Sequence, residues 1–124
     1  MSAKTILYVE DHEVNRKIVR DLLRRTSYRL IEAPDGEAGL ALAREQRPDL
    51  ILMDVQLPKL SGIDVTRQLR TEPATAATPI IAITSFALSG DEQRAKEAGA
   101  YAYLAKPYSP FTLLGMIREL LPEG

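Results

Sequence analysis

Short apolar runs alternate with amphipathic stretches along the whole chain, and this alternation constrains the fold more than any other feature of the sequence. The apolar runs predict strands at residues 4–9, 28–33, 49–54, 79–85 and 100–105. The first, third and fourth runs are almost continuously apolar, which indicates strands that are buried on both faces. The stretches between them predict helices at residues 13–26, 35–46, 62–71, 90–98 and 109–121.

Strict alternation of strands and helices indicates an α/β fold built on a parallel sheet. We therefore expect a doubly wound (βα)5 fold with its five strands in the flavodoxin-like order 2-1-3-4-5. Local signals also mark the ends of several helices. They are Ser109 before Pro110, the capping-box pairs Ser61 with Asp64 and Ser89 with Glu92, and Gly99 as a left-handed terminal residue.

The size and composition of the chain limit its class. With 124 residues we expect a single domain spanning 1–124, without an output domain. The net charge of -1 favours neither nucleic acid nor a membrane surface as partner. The absence of cysteine excludes disulfides, thiolate metal sites and a cysteine nucleophile. The sequence has no apolar run of about 18 residues and no secretory signal at its start, so we expect a cytoplasmic protein.

Chemically reactive side chains lie at the carboxyl ends of four of the five predicted strands. In an open parallel sheet, ligands bind beyond the carboxyl ends of the strands, at the switch point in the strand order. The second strand ends at Ala33 and Pro34 and brings no reactive group. The other four bring Glu10 and Asp11, Asp54, Thr84 and Ser85, and Lys106 with Pro107.

The three carboxylates require a compensating positive charge. In the expected strand order Glu10, Asp11 and Asp54 share one crevice. Two unit charges about 4 Å apart repel by about 4 kcal/mol at an effective dielectric constant near 20, against a domain stability of about 5–15 kcal/mol. A Mg²⁺ ion bound by carboxylates, phosphate and water offsets this repulsion. Lys106 adds a flexible cation suited to phosphate or carboxylate.

Each of these residues taken alone has a more common explanation. An aspartate at the position of Asp11 commonly caps a helix, and one at the position of Asp54 commonly forms a turn. A lone lysine such as Lys106 is most often solvated. A lone threonine such as Thr84 is most often an ordinary strand residue. Four strand ends with complementary chemistry are rarely obtained by accident. The combination therefore favours a functional site.

The same residues carry a resemblance to a known family. The set of Glu10 with Asp11, Asp54, Thr84 and Lys106 with Pro107 resembles the receiver domain of two-component response regulators. The segments that resemble it most are "VEDHEVN", "PDLILMDVQLPKLSG" and "YLAKP". The resemblance covers the whole chain and is greatest to stand-alone, CheY-like receivers.

The resemblance implies a role for each site residue. It makes Asp54 the phosphoacceptor, with Lys106 and Thr84 as catalytic contacts to phosphoryl oxygens. It also implies a magnesium ion, or alternatively manganese, as cofactor. The implied metal ligands are Glu10, Asp11, Asp54 and the backbone carbonyl of Gln56.

The resemblance further implies a switch and two kinds of protein partner. Thr84 and Tyr103 would couple phosphorylation to the face formed by the last two helices and the last strand, where a downstream protein binds. A histidine kinase or a histidine phosphotransfer protein would donate the phosphoryl group. Family members commonly have a cis peptide bond before the proline, here between Lys106 and Pro107, which aims the lysine.

Gln56 bears on the lifetime of the phosphorylated state. Magnesium-dependent phosphatases with an Asp nucleophile carry a second acid two residues later, where this chain has Gln56. An amide cannot act as a general acid or base, so we expect a persistent signal rather than rapid turnover. We therefore expect no enzyme in the usual sense, only a protein that catalyses its own phosphotransfer and slow autodephosphorylation.

Three other functions remain as alternatives. An FMN carrier of the same fold needs donors for phosphate after the first strand, where "VEDHEVN" presents carboxylates. A magnesium-dependent phosphatase is disfavoured by Gln56 and by the lack of a cap domain. A receiver-like interaction module that is never phosphorylated is disfavoured because the acidic, threonine and lysine residues are all present.

Other residues have less specific roles. His12 is expected to be solvated, with a metal or phosphohistidine role as the alternative. Val14 and Ile18 either pack inward or form an apolar patch for the phosphodonor, and Phe86 is expected to tune phosphate lifetime. The remaining residues are a stripe expected to be a solvated basic face, Arg16, Arg20 and Arg24, and aromatics expected in the core or an interface, Tyr101, Tyr108 and Phe111.

Overall fold

The computed structural model describes residues 3–85 and 90–123, and within these ranges five strands alternate with five helices. The strands are β1 (Thr5–Val9), β2 (Arg29–Ala33), β3 (Leu50–Asp54), β4 (Ile80–Thr84) and β5 (Ala102–Ala105). The helices are α1 (Glu13–Leu23), α2 (Gly36–Gln46), α3 (Gly62–Arg70), α4 (Asp91–Ala98) and α5 (Pro110–Leu120).

The strands form one parallel sheet in the order β2-β1-β3-β4-β5. This order confirms the predicted (βα)5 fold. It reverses direction between β1 and β3, so the carboxyl ends of these two strands lie side by side at the switch point. All residues of β3 and β4 are buried, which the continuous apolar character of their sequences indicated.

Successive strand residues supply two separate cores because side chains alternate between the faces of the sheet. On one face Ile6 and Leu52 pack with Val19 of α1 and Leu113 and Ile117 of α5. The opposite core contains residues from the same strands and from α2 and α3, namely Leu7, Val9, Ile51, Met53, Leu40, Ala43, Val65 and Leu69. Helices on both faces therefore fix the positions of the strand ends that carry the candidate site.

Most of the predicted helix signals take the expected form. The Ser109 side chain accepts a hydrogen bond from the Phe111 amide, with Pro110 as the first residue of α5. The Ser61 hydroxyl accepts from the Asp64 amide at 3.2 Å. Gly99 ends α4 with a φ of 115°. Ser89 of the predicted pair with Glu92 lies outside the described residues.

Each element is shorter than predicted at one or both ends, and two of the bounds differ by more than one residue. Helix α1 ends at Leu23 instead of residue 26, because the Thr26 hydroxyl binds the Leu23 carbonyl at 2.6 Å and closes the helix with a turn. Strand β5 begins at Ala102 instead of residue 100. Neither difference moves a candidate site residue away from the carboxyl edge of the sheet.

The structure also decides between alternatives for several apolar residues. Val14 and Ile18 are 71% and 46% exposed, so these two apolar residues lie at the surface and do not pack inward. Tyr101 and Phe111 lie at the surface, whereas Tyr108 packs against the core on the α1 and α5 side.

In the described part of the chain, no helix has the length and apolar character needed to cross a membrane.

Candidate functional site

Two buried carboxylates face each other across neighbouring strands. Glu10 directly follows β1 and is fully buried, while Asp54 is the last residue of β3 and is 2% exposed. Because Val9 pairs with Met53 in the sheet, both side chains emerge at the same edge. The apolar strands therefore place two acids in a buried environment, where an ionised carboxylate raises the free energy of the folded protein.

Lys106 bridges these two acids. Its Nζ atom lies 2.8 Å from Oε1 of Glu10 and 3.1 Å from Oδ2 of Asp54. The backbone amide of Lys106 donates to the Thr84 carbonyl at 2.7 Å, which ties the lysine to the end of β4. The Lys106–Pro107 peptide bond is cis, the form that the family resemblance had suggested.

The three charges determine one another's ionisation. Burial, reinforced by the adjacent Glu10, raises the pKa of Asp54, and Lys106 offsets part of this increase. Burial also opposes ionisation of Glu10, but its hydrogen bonds with Asp54 and Lys106 outweigh burial and lower its pKa. Burial lowers the pKa of Lys106, but the two carboxylates outweigh this and raise it. When both carboxyl groups are ionised, the site has more negative charge than one ammonium group can balance.

The Glu10 carboxylate and backbone are held by several neighbours. Oε1 accepts from Tyr8 and Asn15, each at 3.2 Å, and Oε2 accepts from the His12 amide at 3.1 Å. The Arg16 guanidinium donates to the Glu10 backbone carbonyl at 2.8 Å. Arg16 is only 16% exposed in its side chain, so the prediction of a fully solvated basic face is wrong for this residue.

Three residues after β1 present potential metal ligands within 4.8 Å of one another, namely Glu10, Asp11 and His12. The Oδ1 atom of Asp11 is buried and accepts no hydrogen bond from the described residues. The His12 ring is 69% exposed, as expected for a solvated histidine, with its Nδ1 atom 3.2 Å from that oxygen. A buried carboxylate oxygen without a donor fits a hard cation such as Mg²⁺, for which imidazole is a poorer ligand.

The loop after β3 orients the Asp54 carboxylate. The Gln56 amide donates to Oδ1 of Asp54 at 2.9 Å, so the loop supplies a donor opposite Lys106. The loop then turns back, and the Gly62 amide donates to the Val55 carbonyl at 3.0 Å. A Cβ atom on Gly62 would lie 2.0 Å from the Asp54 backbone oxygen, so a residue with a side chain does not fit at position 62 of this loop.

Thr84 lies in a buried polar network between β4 and α4. The Gln56 side-chain amide donates to Oγ1 of Thr84 at 2.6 Å and to Oδ2 of Asp91 at 2.7 Å. The Thr84 hydroxyl donates to the same Asp91 oxygen at 3.3 Å. The other Asp91 oxygen accepts from Arg94. The end of β4 is thereby connected to the first turn of α4.

Tyr103 lies on β5, beside β4. It pairs with Ala82 in the sheet, and its ring packs against a small apolar cluster that includes Ala95 and Ala98 of α4. Burial raises the pKa of Tyr103, and the nearby Thr84 side chain offsets part of the increase. Tyr103 therefore lies between β4, the strand that carries Thr84, and α4.

The comparisons with known proteins identify the family. Residues 6–118 match the response regulator receiver domain. The chain belongs to this family. It is 44% identical to the polar-differentiation response regulator DivK of Brucella anthropi over 121 residues, which are 98% of each protein. The resemblance to stand-alone receivers is thereby confirmed.

Solved receiver structures share the fold. The CheY4 chemotaxis protein of Vibrio cholerae is 31% identical, with a TM-score of 0.89 over 96% of this chain and 99% of that one. The receiver domain of the sensor histidine kinase PA1611 from Pseudomonas aeruginosa PAO1 is 38% identical, with a TM-score of 0.88 over 95% and 97% of the two chains. That domain has a magnesium ion coordinated in its active-site cleft.

A cavity of about 460 Å³ opens beside the lysine of this receiver. Its lining includes Asn15 and Ile18 of α1, Lys106, and Pro110 at the start of α5. The exposed Val14 extends the apolar surface of α1 nearby. The approach to Lys106 is thus bordered by an apolar rim.

Part of the receiver's polar network has no signal in the sequence. The sequence predicts a backbone role for Gln56 and an inert side-chain amide, and it predicts no role for Asp91. An acid in the first turn of a helix is common, so Asp91 had no signal that pointed to Thr84. Phe86, predicted to tune phosphate lifetime, lies outside the described residues.

Proposed function

We propose that this receiver accepts a phosphoryl group on Asp54 from a phosphohistidine and uses the modification to change its binding of a protein target. The observation that carries the proposal is the Lys106 ammonium group shared between Asp54 and Glu10 at the switch point of the sheet. Residues 1–124 would act as one receiver domain, in the cytoplasm where histidine kinases are phosphorylated by ATP.

Magnesium is the cofactor that the donor set fits best, with manganese as the alternative. Glu10, Asp11 and Asp54 would hold the ion through carboxylate oxygens, and Gln56 through its backbone carbonyl. An ion bound there would supply positive charge that offsets the charge of the phosphoryl oxygens and of the carboxylates around them. The buried, unsatisfied Oδ1 atom of Asp11 supports this assignment.

The residues around Asp54 suit nucleophilic attack on phosphorus. The Gln56 amide and Lys106 contact different oxygens of the carboxylate and so fix its orientation. An Asp54 oxygen attacks phosphorus, the phosphorus–nitrogen bond to the donor's imidazole breaks, and the imidazole leaves with its electron pair and takes up a proton. Lys106 then shifts from the free carboxylate to a phosphoryl oxygen.

The same environment favours a persistent product. In the described residues the group two positions after Asp54 is the Gln56 amide, whose Oε1 accepts from the Ser85 amide at 3.0 Å. A carboxamide does not ionise near neutral pH, so this group cannot act as a general acid or base toward water. The chain would therefore act as a signalling protein that catalyses its own phosphotransfer and loses the phosphoryl group slowly.

Receiver domains interact with histidine kinases and with downstream targets, and this chain offers a separate surface for each. The exposed Val14 and Ile18, with the cavity beside Lys106, suit the apolar helix of a histidine kinase or a histidine phosphotransfer protein. The downstream target would bind the face formed by α4, β5 and α5, to which Thr84 and Tyr103 transmit the change.

The decisive experiment is incubation with acetyl phosphate and Mg²⁺, followed by intact-mass measurement. The wild-type protein should gain the mass of one phosphoryl group, and Asp54→Ala should gain none. Asp64→Ala, which removes an exposed acid from the first turn of α3, is the matched control and should behave as wild type. No gain in the wild type, or an undiminished gain in Asp54→Ala, would contradict the proposal.

A further inference from the structure

The Thr84 hydroxyl already has an acceptor for its hydrogen when Asp54 is unmodified. It donates to Oδ2 of Asp91 at 3.3 Å. A threonine hydroxyl carries one hydrogen. If Thr84 is to donate to a phosphoryl oxygen on Asp54, as the family resemblance implies, it must first leave Asp91.

The Asp91 carboxylate is held firmly in the position from which it accepts that hydrogen. Its side chain is 8% exposed, Oδ1 accepts from Arg94, and Oδ2 also accepts from the Gln56 side chain at 2.7 Å. A buried carboxylate with donors on both oxygens is a strong and well-placed acceptor. Asp91 is also the first residue of α4, so its contact with Thr84 joins β4 to that helix.

We propose that Asp91 competes with the phosphoryl group on Asp54 for the single hydroxyl hydrogen of Thr84, so that Asp91 is a positioning residue that stabilises the unphosphorylated conformation. This inference rests on the proposed function. It adds Asp91 as a residue that shifts the equilibrium between the two conformations toward the unphosphorylated one. The loss of one contact between Thr84 and Asp91 would release the start of α4 at the moment when Thr84 turns to the phosphoryl group.

The competition predicts that replacing Asp91 raises the affinity of the protein for a phosphoryl mimic bound to Asp54. Beryllofluoride with Mg²⁺ serves as the probe because it imitates a phosphoryl group on a carboxylate. Asp91→Ala should bind beryllofluoride about fivefold to tenfold more tightly than wild type, roughly the factor that one net hydrogen bond contributes. Binding is followed by the amide NMR signals of Ser85 and Asp64, the second as an unaffected reference.

A second variant separates the hydrogen bond from the charge of Asp91. Asp91→Asn is neutral but keeps a side-chain oxygen that can accept from Thr84. If the hydrogen bond is what matters, Asp91→Asn should lie much closer to wild type than Asp91→Ala does. If removal of negative charge were the cause, the two variants would gain affinity equally, and the inference would be overturned.

A double-mutant cycle tests whether Asp91 acts through Thr84. In a Thr84→Val background the hydroxyl is absent, so Asp91→Ala should no longer change beryllofluoride affinity. Asp64→Ala, the matched acid of α3, should leave affinity unchanged in either background. An unchanged or weakened affinity in Asp91→Ala alone overturns the inference, whereas failure of the wild type to bind beryllofluoride with Mg²⁺ overturns the proposed function and this inference with it.

Discussion

The ammonium nitrogen of Lys106 lies 2.8 Å from Oε1 of Glu10, a residue 96 positions earlier in the chain. The same nitrogen lies 3.1 Å from Oδ2 of Asp54, the last residue of β3. Glu10 is fully buried and the Lys106 side chain is 19% exposed, so this contact is screened far less than a surface ion pair. The resting receiver thus uses its own lysine to hold together charges that a phosphoryl group and a metal ion would later share.

Replacing Lys106 should destabilise the protein in the absence of metal. Lys106→Met leaves two buried carboxylates without their cation, and we expect the free energy of unfolding to fall by about 2–3 kcal/mol at neutral pH. Millimolar Mg²⁺ should restore most of the loss, because the ion replaces the missing positive charge. Urea unfolding with and without Mg²⁺ measures both effects.

The control for this substitution is Lys96→Met. Lys96 lies on the exposed side of α4 and contacts Glu92 at 2.9 Å, with both side chains more than half exposed. Its loss should change stability by less than about 0.5 kcal/mol. Equal stability of Lys106→Met and Lys96→Met in metal-free buffer would show that Lys106 does not balance the buried acids.

Asp11 should matter for magnesium but not for folding. Its buried Oδ1 atom accepts no hydrogen bond in the described part of the chain and lies 3.2 Å from Nδ1 of the exposed His12 ring, so Asp11→Ala removes repulsion from the metal-free protein at the cost of one exposed contact. We expect wild type to gain about 2–3 kcal/mol at a Mg²⁺ concentration of about 100 times Kd, and Asp11→Ala to gain almost nothing. Thermal unfolding at increasing Mg²⁺ concentration distinguishes the two, and an equal rise in Tm would exclude Asp11 as a ligand.

Gly62 and Gly115 form a matched pair for substitution by alanine. At Gly62 the added carbon would lie 2.0 Å from the Asp54 backbone oxygen, and relieving this clash would require a displacement of the backbone, which costs free energy. We expect Gly62→Ala to cost more than about 2 kcal/mol of stability and to disturb Asp54. At Gly115, inside α5, nothing lies within 4 Å of the added carbon. Gly115→Ala should stabilise by about 0.5–1 kcal/mol.

The fold and the meeting of the charged residues could be predicted from sequence for a simple physical reason. Apolar runs that end in charged residues place those residues at one edge whenever the strands are parallel, and Glu10, Asp54 and Lys106 illustrate this. No loop geometry has to be known for that inference. The strand order then decides which charges become neighbours.

The Thr84 network could not be predicted in the same way. The Gln56 side chain reaches Asp91, 35 residues later, only because the loop after β3 and the start of α4 approach each other. Such contacts depend on loop paths and rotamers, which have no periodic signal in sequence. The same holds for Arg16, whose i,i+4 spacing with other arginines indicated a solvated face although its guanidinium binds the Glu10 carbonyl.

Tyr8 should make the protein sensitive to alkaline pH. Burial, with smaller contributions from Tyr108 and Glu10, raises the pKa of Tyr8 above its ordinary value of 10.0. The unfolded chain therefore loses this proton first, so the stability that Tyr8 contributes is present below about pH 10 and is lost as the pH rises further. In Tyr8→Phe the fall of unfolding free energy above pH 10 should be shallower by up to about 1.4 kcal/mol per pH unit.

Urea unfolding between pH 9 and pH 11 measures this slope, whatever stability Tyr8→Phe loses at neutral pH with its hydrogen bond to Glu10. Tyr101→Phe provides the control because the Tyr101 side chain is 67% exposed. If the unfolding free energy of Tyr8→Phe falls with pH as steeply as that of wild type and of Tyr101→Phe, the raised pKa of Tyr8 is contradicted.

If the proposed function is right, Asp54 itself carries the phosphoryl group. An acyl phosphate is reduced by borohydride, so treatment of the acetyl-phosphate-modified protein should convert a phosphorylated aspartate to homoserine. Peptide mass spectrometry should then find homoserine at position 54 and an unchanged aspartate at position 11. Homoserine at any other acid, or none after a confirmed gain of phosphoryl mass, would contradict the account.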